Sequence, residues 1–236
     1  MYGRSFIRKC CWFFCGLVLV AVATDDMALY GQTEDPASSW TTGADLYSSF
    51  VWRGTRLSGP AVQPVIEFNS GFFTAGAWGS FDFNDYQEVD LYLSFALTES
   101  ISIGMQDYYL PGLAYFDYSS ASGSHAFEIN LSYSGEHVSL EADYVVNEAG
   151  GAGSLGGDLY FEAGIAFDYF TVFMGAGNGW HTYDPVEDKA AFNVCNIGIE
   201  VSKDIVITDS FNIPVTAQLI FNPDSEQMFL VAGFTF

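Results

Sequence analysis

The sequence predicts an all-β protein, a closed antiparallel transmembrane β-barrel of about 12 strands. Three observations predict it. Polar and apolar residues alternate with period 2 along a dozen stretches of similar length. The connections between those stretches are lopsided, mostly very short at one end and long at the other. Aromatic residues collect at the ends of the apolar faces, where a sandwich core would place them mid-strand. Half of the residues are hydrophobic and 17% are aromatic, although the formal net charge is −22. That composition does not suit a disordered acidic chain. The excess of carboxylates also excludes electrostatic binding of nucleic acid, which needs Lys and Arg.

The N-terminal segment reads as a leader. Arg4, Arg8 and Lys9 form a basic region, and Cys10 to Ala23 is a short apolar run. A run of this length falls short of the ~20 residues of a spanning helix and fits a secretory signal peptide. Cleavage is expected after Ala23 or near Ala28 to Gln32, with the second preferred. The chain then divides into a signal peptide at 1–32 and one barrel domain at 33–236. Phe13 and Phe14 precede Cys15 where a lipoprotein signal needs small residues, so a lipid anchor is not expected. Beyond the leader Cys195 stands alone, which leaves no intramolecular disulfide and no cysteine metal cluster.

Strands are expected at 42–54, 60–69, 72–83, 87–98, 100–109, 124–134, 136–147, 158–168, 170–178, 191–202, 211–222 and 226–236. Each is close to the ~9–11 residues that a tilted strand needs to cross the hydrocarbon layer. In the fourth, Val89, Leu91, Leu93, Phe95 and Leu97 oppose Asp90, Tyr92, Ser94 and Ala96. In the sixth, Phe127, Ile129, Leu131 and Tyr133 oppose Glu128, Asn130, Ser132 and Ser134. The seventh sets Val138, Leu140, Ala142, Tyr144 and Val146 against Ser139, Glu141, Asp143 and Val145. The eighth sets Leu159, Phe161, Ala163, Ile165 and Phe167 against Tyr160, Glu162, Gly164 and Ala166. The eleventh and twelfth alternate likewise, the last through Met228, Leu230, Ala232, Phe234 and Phe236.

Turns near Ser70–Gly71, Thr98–Ser100, Ser134–Glu136 and Asp168–Phe170 are short. Connections at 110–123, 148–157 and 179–190 are long, whereas 55–59 and 84–86 are short outer connections and 203–210 is a longer inner turn. Trp52, Phe83 and Phe221 are expected at the outer rim of the apolar face. Phe68, Phe73, Tyr133, Phe167 and Phe236 are expected at the opposite rim.

The other parity collects polar groups: Asp45, Arg53, Gln63, Glu67, Asp82, Asp90, Glu128, Asn130, Glu141, Asp143, Glu162, Glu200 and Gln218. A charged interior fits a water-filled barrel, and rings of carboxylates favour cations. Candidate pore-lining residues are Asp45, Arg53, Glu67, Asp90, Glu128, Glu141, Asp143, Glu162 and Glu200. Arg53 either forms a constriction with Asp45 or with acids on neighbouring strands, or is a structural ion pair for a buried carboxylate. The ion pair is the preferred reading. The expected function is a narrow, weakly cation-selective channel for passive diffusion of small solutes. The alternative is a non-conducting structural or surface-interaction barrel, since about 12 strands lie between ~8, which side chains fill, and ~16, which leave a wide channel.

A last strand that finishes on an aromatic residue resembles the terminal recognition strand of Gram-negative outer-membrane barrels, with Phe234 and Phe236 as its assembly signal. Two stretches resemble the TorF family of porins. They are Asp45-Leu46-Tyr47-Ser48-Ser49-Phe50-Val51-Trp52-Arg53-Gly54 and Gly71-Phe72-Phe73-Thr74-Ala75-Gly76-Ala77-Trp78-Gly79-Ser80. The likeness covers about the first third of the mature chain. It implies an outer-membrane location and a passive pore, with no catalytic residues. The expected partners are outer-membrane lipid, the barrel-assembly machinery, periplasmic chaperones and small solutes. No cofactor and no metal are expected.

Four other patterns are weighed and set aside. Gly151-Ala152-Gly153-Ser154-Leu155-Gly156 matches GxGxxG, but a strand and not a helix is expected from Asp158, and the dinucleotide motif requires the helix. His181, Asp184, Glu187 and Asp188 share a loop without EF-hand spacing, so a solvated loop is expected over a calcium site. His125, with Ser122 and Ser124 nearby, invites comparison with outer-membrane phospholipase. Phe127 stands where that family has a serine, and His137 lies at the far end of the next strand, so lipid hydrolysis is not expected. The aromatic loop 108–118 is open to three readings: glycan contact, a plug in the lumen, or packing on the rim.

Overall fold

The structure, a computed structural model, describes residues 38–184, 189–208 and 211–236. The expected signal peptide at 1–32 lies outside them. Twelve strands form the wall. In chain order they are β1 (Ser39–Tyr47), β2 (Ala61–Ser70), β3 (Phe73–Asp82), β4 (Gln87–Ala96), β5 (Ile101–Tyr109) and β6 (His125–Ser134). They continue as β7 (Val138–Val145), β8 (Leu159–Ala166), β9 (Thr171–Gly177), β10 (Asn193–Thr208), β11 (Phe211–Asn222) and β12 (Gln227–Thr235). Each pairs antiparallel with its neighbours in sequence, and β12 pairs back onto β1 to close the barrel. Closure pairs the backbone polar groups that lipid cannot satisfy.

The seam is short. Asp45, Leu46 and Tyr47 face Thr235, Phe234 and Gly233. Phe236 extends it: its N–H donates to the Ala44 carbonyl at 3.0 Å and its carbonyl accepts the Ala44 N–H at 3.2 Å. Phe234 and Phe236 meet edge to face, 5.2 Å between centroids.

Alternation becomes an inside and an outside. On β6, Glu128 and Asn130 are buried while Ile129 and Leu131 are 42% and 48% exposed. Leu91, Leu93 and Phe95 on β4, Leu140 on β7, Phe161 and Ile165 on β8 and Leu219 on β11 are exposed in the same way. A continuous apolar belt of this kind is a surface that lipid covers. Aromatic contacts gather at the short-turn rim, with Trp40 against Phe68, Phe73 against Phe95 and Phe167 stacked on Phe170.

The wall departs from expectation at two places. The first strand does not run from 42 to 54. β1 stops at Tyr47, and 48–60 turns inward as a small hairpin of Phe50–Trp52 and Thr55–Ser58. Its tip has Arg53 at φ 48° and Gly54 at φ 82°. Two successive left-handed residues make the tight turn whose twist suits a two-residue hairpin. A Cβ on Gly54 would collide with the carbonyl oxygen of Cys195 on β10, so the tip rests against β10. Trp52, expected at the outer rim, is therefore inside the barrel.

The second departure is at 203–210, expected as a turn. β10 runs on to Thr208 and β11 starts at Phe211. Pairing to β9 ends at Glu200 and pairing to β12 at Val215, so the rest of this pair projects beyond its neighbours as a ribbon. Along the ribbon Ile205 faces Ile213, and Ile205, Val206 and Ile207 are all exposed.

Leu131 sits midway along an outward face. Leu131→Arg is expected to destabilise the folded barrel by ~2–4 kcal/mol, read from equilibrium unfolding in lipid vesicles.

Candidate functional site

The inner hairpin carries a guanidinium across the lumen. Arg53 Nη1 donates to Glu128 Oε2 at 2.7 Å, and Nη2 donates to Glu128 Oε1 at 3.0 Å and Asp143 Oδ2 at 2.5 Å. Glu141 Oε1 lies 3.5 Å from the same Nη2. The bidentate fork on Glu128 is the geometry that Arg makes and Lys cannot. β6 and β7 supply these acids because Glu128 and Asn130, like Glu141 and Asp143, are two apart and face one side. Asn130 sits opposite Asp143 and donates to both Glu128 and Asp143 at 2.8 Å. Tyr108 Oη donates to Glu128 at 2.8 Å. The guanidinium carbon stands 4.4 Å from the Tyr160 ring centroid and 4.7 Å from that of Trp52.

Arg53 thus forms an ion pair, and its partners are Glu128, Glu141 and Asp143 on β6 and β7. Asp45 instead accepts a hydrogen bond from Thr235 at 2.5 Å across the seam. Two tertiary features place Arg53 here: the inward turn after Tyr47, and Asn222 Nδ2, which donates to the Gly54 carbonyl at 3.0 Å.

Aromatic rings close the space around the hairpin. Phe50 packs on Trp78 at 5.4 Å and Tyr86 at 6.2 Å. Trp52 meets Tyr108 at 5.6 Å, Trp180 at 6.0 Å and His181 at 5.1 Å. Such pairs contribute about 0.5–1.5 kcal/mol each beyond their buried area. Trp180 and His181 come from a short 3-10 turn, Gly179–His181, in a long connection. The Asp158 carboxylate accepts the Trp180 N–H at 3.1 Å and steadies that turn. Burial holds the Asp158 carboxyl above its ordinary range.

His181 was expected in a solvated loop; it is buried against Trp52 and Tyr160, the latter at 4.9 Å. Burial first, and the Arg53 charge second, hold its pKa well below the usual imidazole value. Its Nε2 has no hydrogen-bond partner among the described residues.

No protein-family model and no curated protein matches the chain. Among solved structures it is similar to a mutant of Rh. blastica porin at 9% identity and TM-score 0.39, covering 75% of this chain and 55% of that one. A structure described as asymmetric conductivity of engineered proteins matches at 8% identity and TM-score 0.41, over 80% of this chain and 66% of that one. A triple mutant of Rhodopseudomonas blastica porin matches at 10% identity and TM-score 0.35, over 85% and 99%. The chain spans about half the length of the first of these.

The remaining sequence-selected acids also point inward and are held. Glu67 accepts from Tyr92 and Asn69, both at 2.8 Å. Asp90 accepts from Gln106 at 2.8 Å, and Glu200 from Gln218 at 2.6 Å. Glu162 accepts from Asn196 at 2.8 Å and from Tyr160. No group of three or more His, Cys, Asp or Glu among the described residues is arranged for a metal ion.

The loop 110–124 neither plugs the lumen nor stands free. It folds over the outside of the rim, where His125 Nε2 donates to the Tyr115 carbonyl at 2.5 Å. His125 Nδ1 faces the Asp107 carboxylate at 2.9 and 3.0 Å. Tyr109 and Tyr118 stack on its ring. Both ring nitrogens are engaged, so His125 cannot take a proton from a serine. Ser124 Oγ donates to the Ala114 carbonyl at 2.6 Å and Ser122 Oγ to Asp117 at 2.8 Å. Hydrogen bonds from Ser119 and Ser122 hold the Asp117 carboxyl below its ordinary range. The glycine-rich segment at 151–156 lies in a loop followed by strand β8, as expected. Of the loop acids with His181, Glu187 and Asp188 lie outside the described residues.

The signals missed in the sequence were Phe50, Trp52, Tyr108, Tyr160, Trp180 and His181 as one cluster. The Trp52-Arg53-Gly54 turn was the available cue, because Gly at a two-residue turn marks a hairpin.

Arg53→Ala leaves Glu128 and Asp143 buried without their cation, and is expected to lower stability by ~3–5 kcal/mol in urea unfolding. His181 is neutral when folded and takes up a proton on unfolding. The unfolded state therefore binds more protons below the ordinary value of 6.5, and stability falls as pH drops through that value. The urea midpoint of the wild type relative to that of His181→Gln should therefore fall between about pH 8 and about pH 5, which isolates the His181 contribution.

Proposed function

We propose that the protein is a bacterial outer-membrane channel for small solutes whose resting state is closed by its own hairpin. The observation that carries this reading is the contact of Arg53 with Glu128 and Asp143, which ties a loop from the β1–β2 connection to the opposite wall. Ion pairs and aromatic edges can part without unfolding the wall, because the hairpin shares no backbone ladder with the barrel sheet.

The lumen charge suggests which solutes would pass. Glu67, Asp90, Glu128, Glu141, Asp143, Glu162 and Glu200 line the interior against Arg53, and an excess of carboxylates favours cations. Asp45 adds to that excess at the seam. The apolar belt fits outer-membrane lipid, and the aromatic ending at Phe234 and Phe236 fits recognition by the assembly machinery after passage with periplasmic chaperones.

The test is single-channel current in a planar bilayer across a salt gradient. The wild-type barrel is expected to be closed for most of the time. Arg53→Ala, and a barrel with 49–59 replaced by a short turn, are expected to open for most of the time with a reversal potential on the cation side. Silence from the hairpin-deleted barrel, folded by its heat-modifiable gel shift, would leave the non-conducting structural barrel as the answer.

A further inference from the structure

An ion pair outside the lumen takes no part in the latch. Asp107 on β5 stands opposite Leu91 and Phe127, and His125 at the start of β6 stands opposite Tyr109, so both have the outward parity of the apolar belt. The His125 side chain is fully buried and that of Asp107 is 17% exposed. No second cation pairs with Asp107 among the described residues.

The hydrogen bonds of the pair determine how many protons it holds. His125 Nδ1 lies 2.9 and 3.0 Å from the two Asp107 oxygens, and Nε2 lies 2.5 Å from the Tyr115 carbonyl oxygen. A carbonyl and an ionised carboxylate only accept. A neutral imidazole has one N–H and one lone pair, so it can satisfy one of these partners and must turn a lone pair on the other. Both contacts are hydrogen bonds only when the pair holds a second proton. The count is the same whether that proton lies on Nδ1 or on the Asp107 oxygen across the bond.

The surroundings add no other charge. From β5 the ring meets Asp107 and Tyr109, from the loop 110–124 it meets Tyr115 and Tyr118, and from its own strand Phe127. From the connection after β7, Asn147 reaches only its backbone carbonyl. Asp117, the other acid of the loop, is bonded to Ser119 and Ser122. Loss of the second proton therefore sets a lone pair against an oxygen and leaves the Asp107 carboxylate without a cation beside the apolar belt. A carboxylate so placed is costly unless it is paired or hydrated. Both costs are relieved when the Tyr115 carbonyl leaves the ring and water enters. Ser124 bonds to the carbonyls of Ala114 and Asp117, so the loop can loosen over the ring without leaving the rim.

We propose that Asp107 and His125 are a proton-operated clasp for the loop after β5. With the second proton bound, Tyr115 is held on the ring. Without it, Tyr115 and Phe116 swing free and the tyrosine cover opens at the long-loop rim. The clasp is lost as pH rises, and it works whether or not the lumen conducts.

The experiment is a spin label at Phe116→Cys, which is 85% exposed, with Cys195→Ser removing the native thiol. Spectra of the folded barrel in lipid vesicles are taken from about pH 5 to about pH 8.5, which spans the range in which imidazoles change charge. The heat-modifiable gel shift checks folding at both ends. The mobile component is expected to grow from minor to major as pH rises. Asp107→Asn is the informative variant, because its amide N–H can donate to Nδ1 in place of the second proton. It is expected to keep the label immobile over the whole range, whereas a plain salt bridge would be weakened by the same change. His125→Gln is expected to give a spectrum that does not change with pH. A flat titration of the barrel with Asp107 and His125 intact overturns the proposal and needs no further variant. An Asp107→Asn barrel that opens with the same midpoint, or a His125→Gln barrel that keeps the response, overturns it as well.

Discussion

A closed wall with an acidic inner face must find a cation or pay in desolvation, and here one guanidinium meets that need. Glu128 and Asp143 are almost wholly buried, and Arg53 is buried with them. Removing two carboxylates from water is unfavourable unless a partner and further hydrogen bonds replace the lost solvation. Asn130 and Tyr108 supply those further bonds. The position of the hairpin follows from this. Its tip reaches β6 and β7, and aromatic rings pack around it.

The wall and the hairpin are stabilised by different physics. The wall is a cooperative ladder in which each strand has a neighbour on both sides. Its outer face gains from lipid and its inner face from hydrogen-bonded polar side chains. The hairpin has a two-strand ladder of its own and is tied to the wall by side chains and by the Asn222 bond to Gly54. Because the hairpin has no share in the ladder of the wall, it can part from the wall without breaking that ladder. Under the proposed function, that difference lets the wall serve as scaffold and the hairpin as latch.

Outside the lumen, the same logic explains the long loop after β5. Asp107 and His125 occupy outward positions near the rim, where a lone charge would face the apolar layer. They face each other, and Tyr109, Tyr115 and Tyr118 cover the pair. The loop is therefore ordered by a polar pair that it shields. This is why the His125 ring is taken up by Asp107 and the Tyr115 carbonyl and the loop stays outside the lumen.

Local pattern determined a great deal. Period-2 alternation marks which side chains of Glu128, Ile129, Asn130 and Leu131 face in and which face out, because the strand geometry is the same wherever the strand lies. Strand number, antiparallel order and the acidic lumen all follow from that period and from connection length. Alternation cannot tell a wall strand from a strand folded inside the wall, since both have period 2. Residues 48–54 alternate well enough to extend β1, and only tertiary packing turns them inward. Nor can it pair residues distant in sequence. Arg53 and Glu128 are 75 positions apart, and Asn222 and Gly54 are 168 apart. Those contacts depend on the diameter of the closed barrel, which is a property of all twelve strands together and is written in none of them alone.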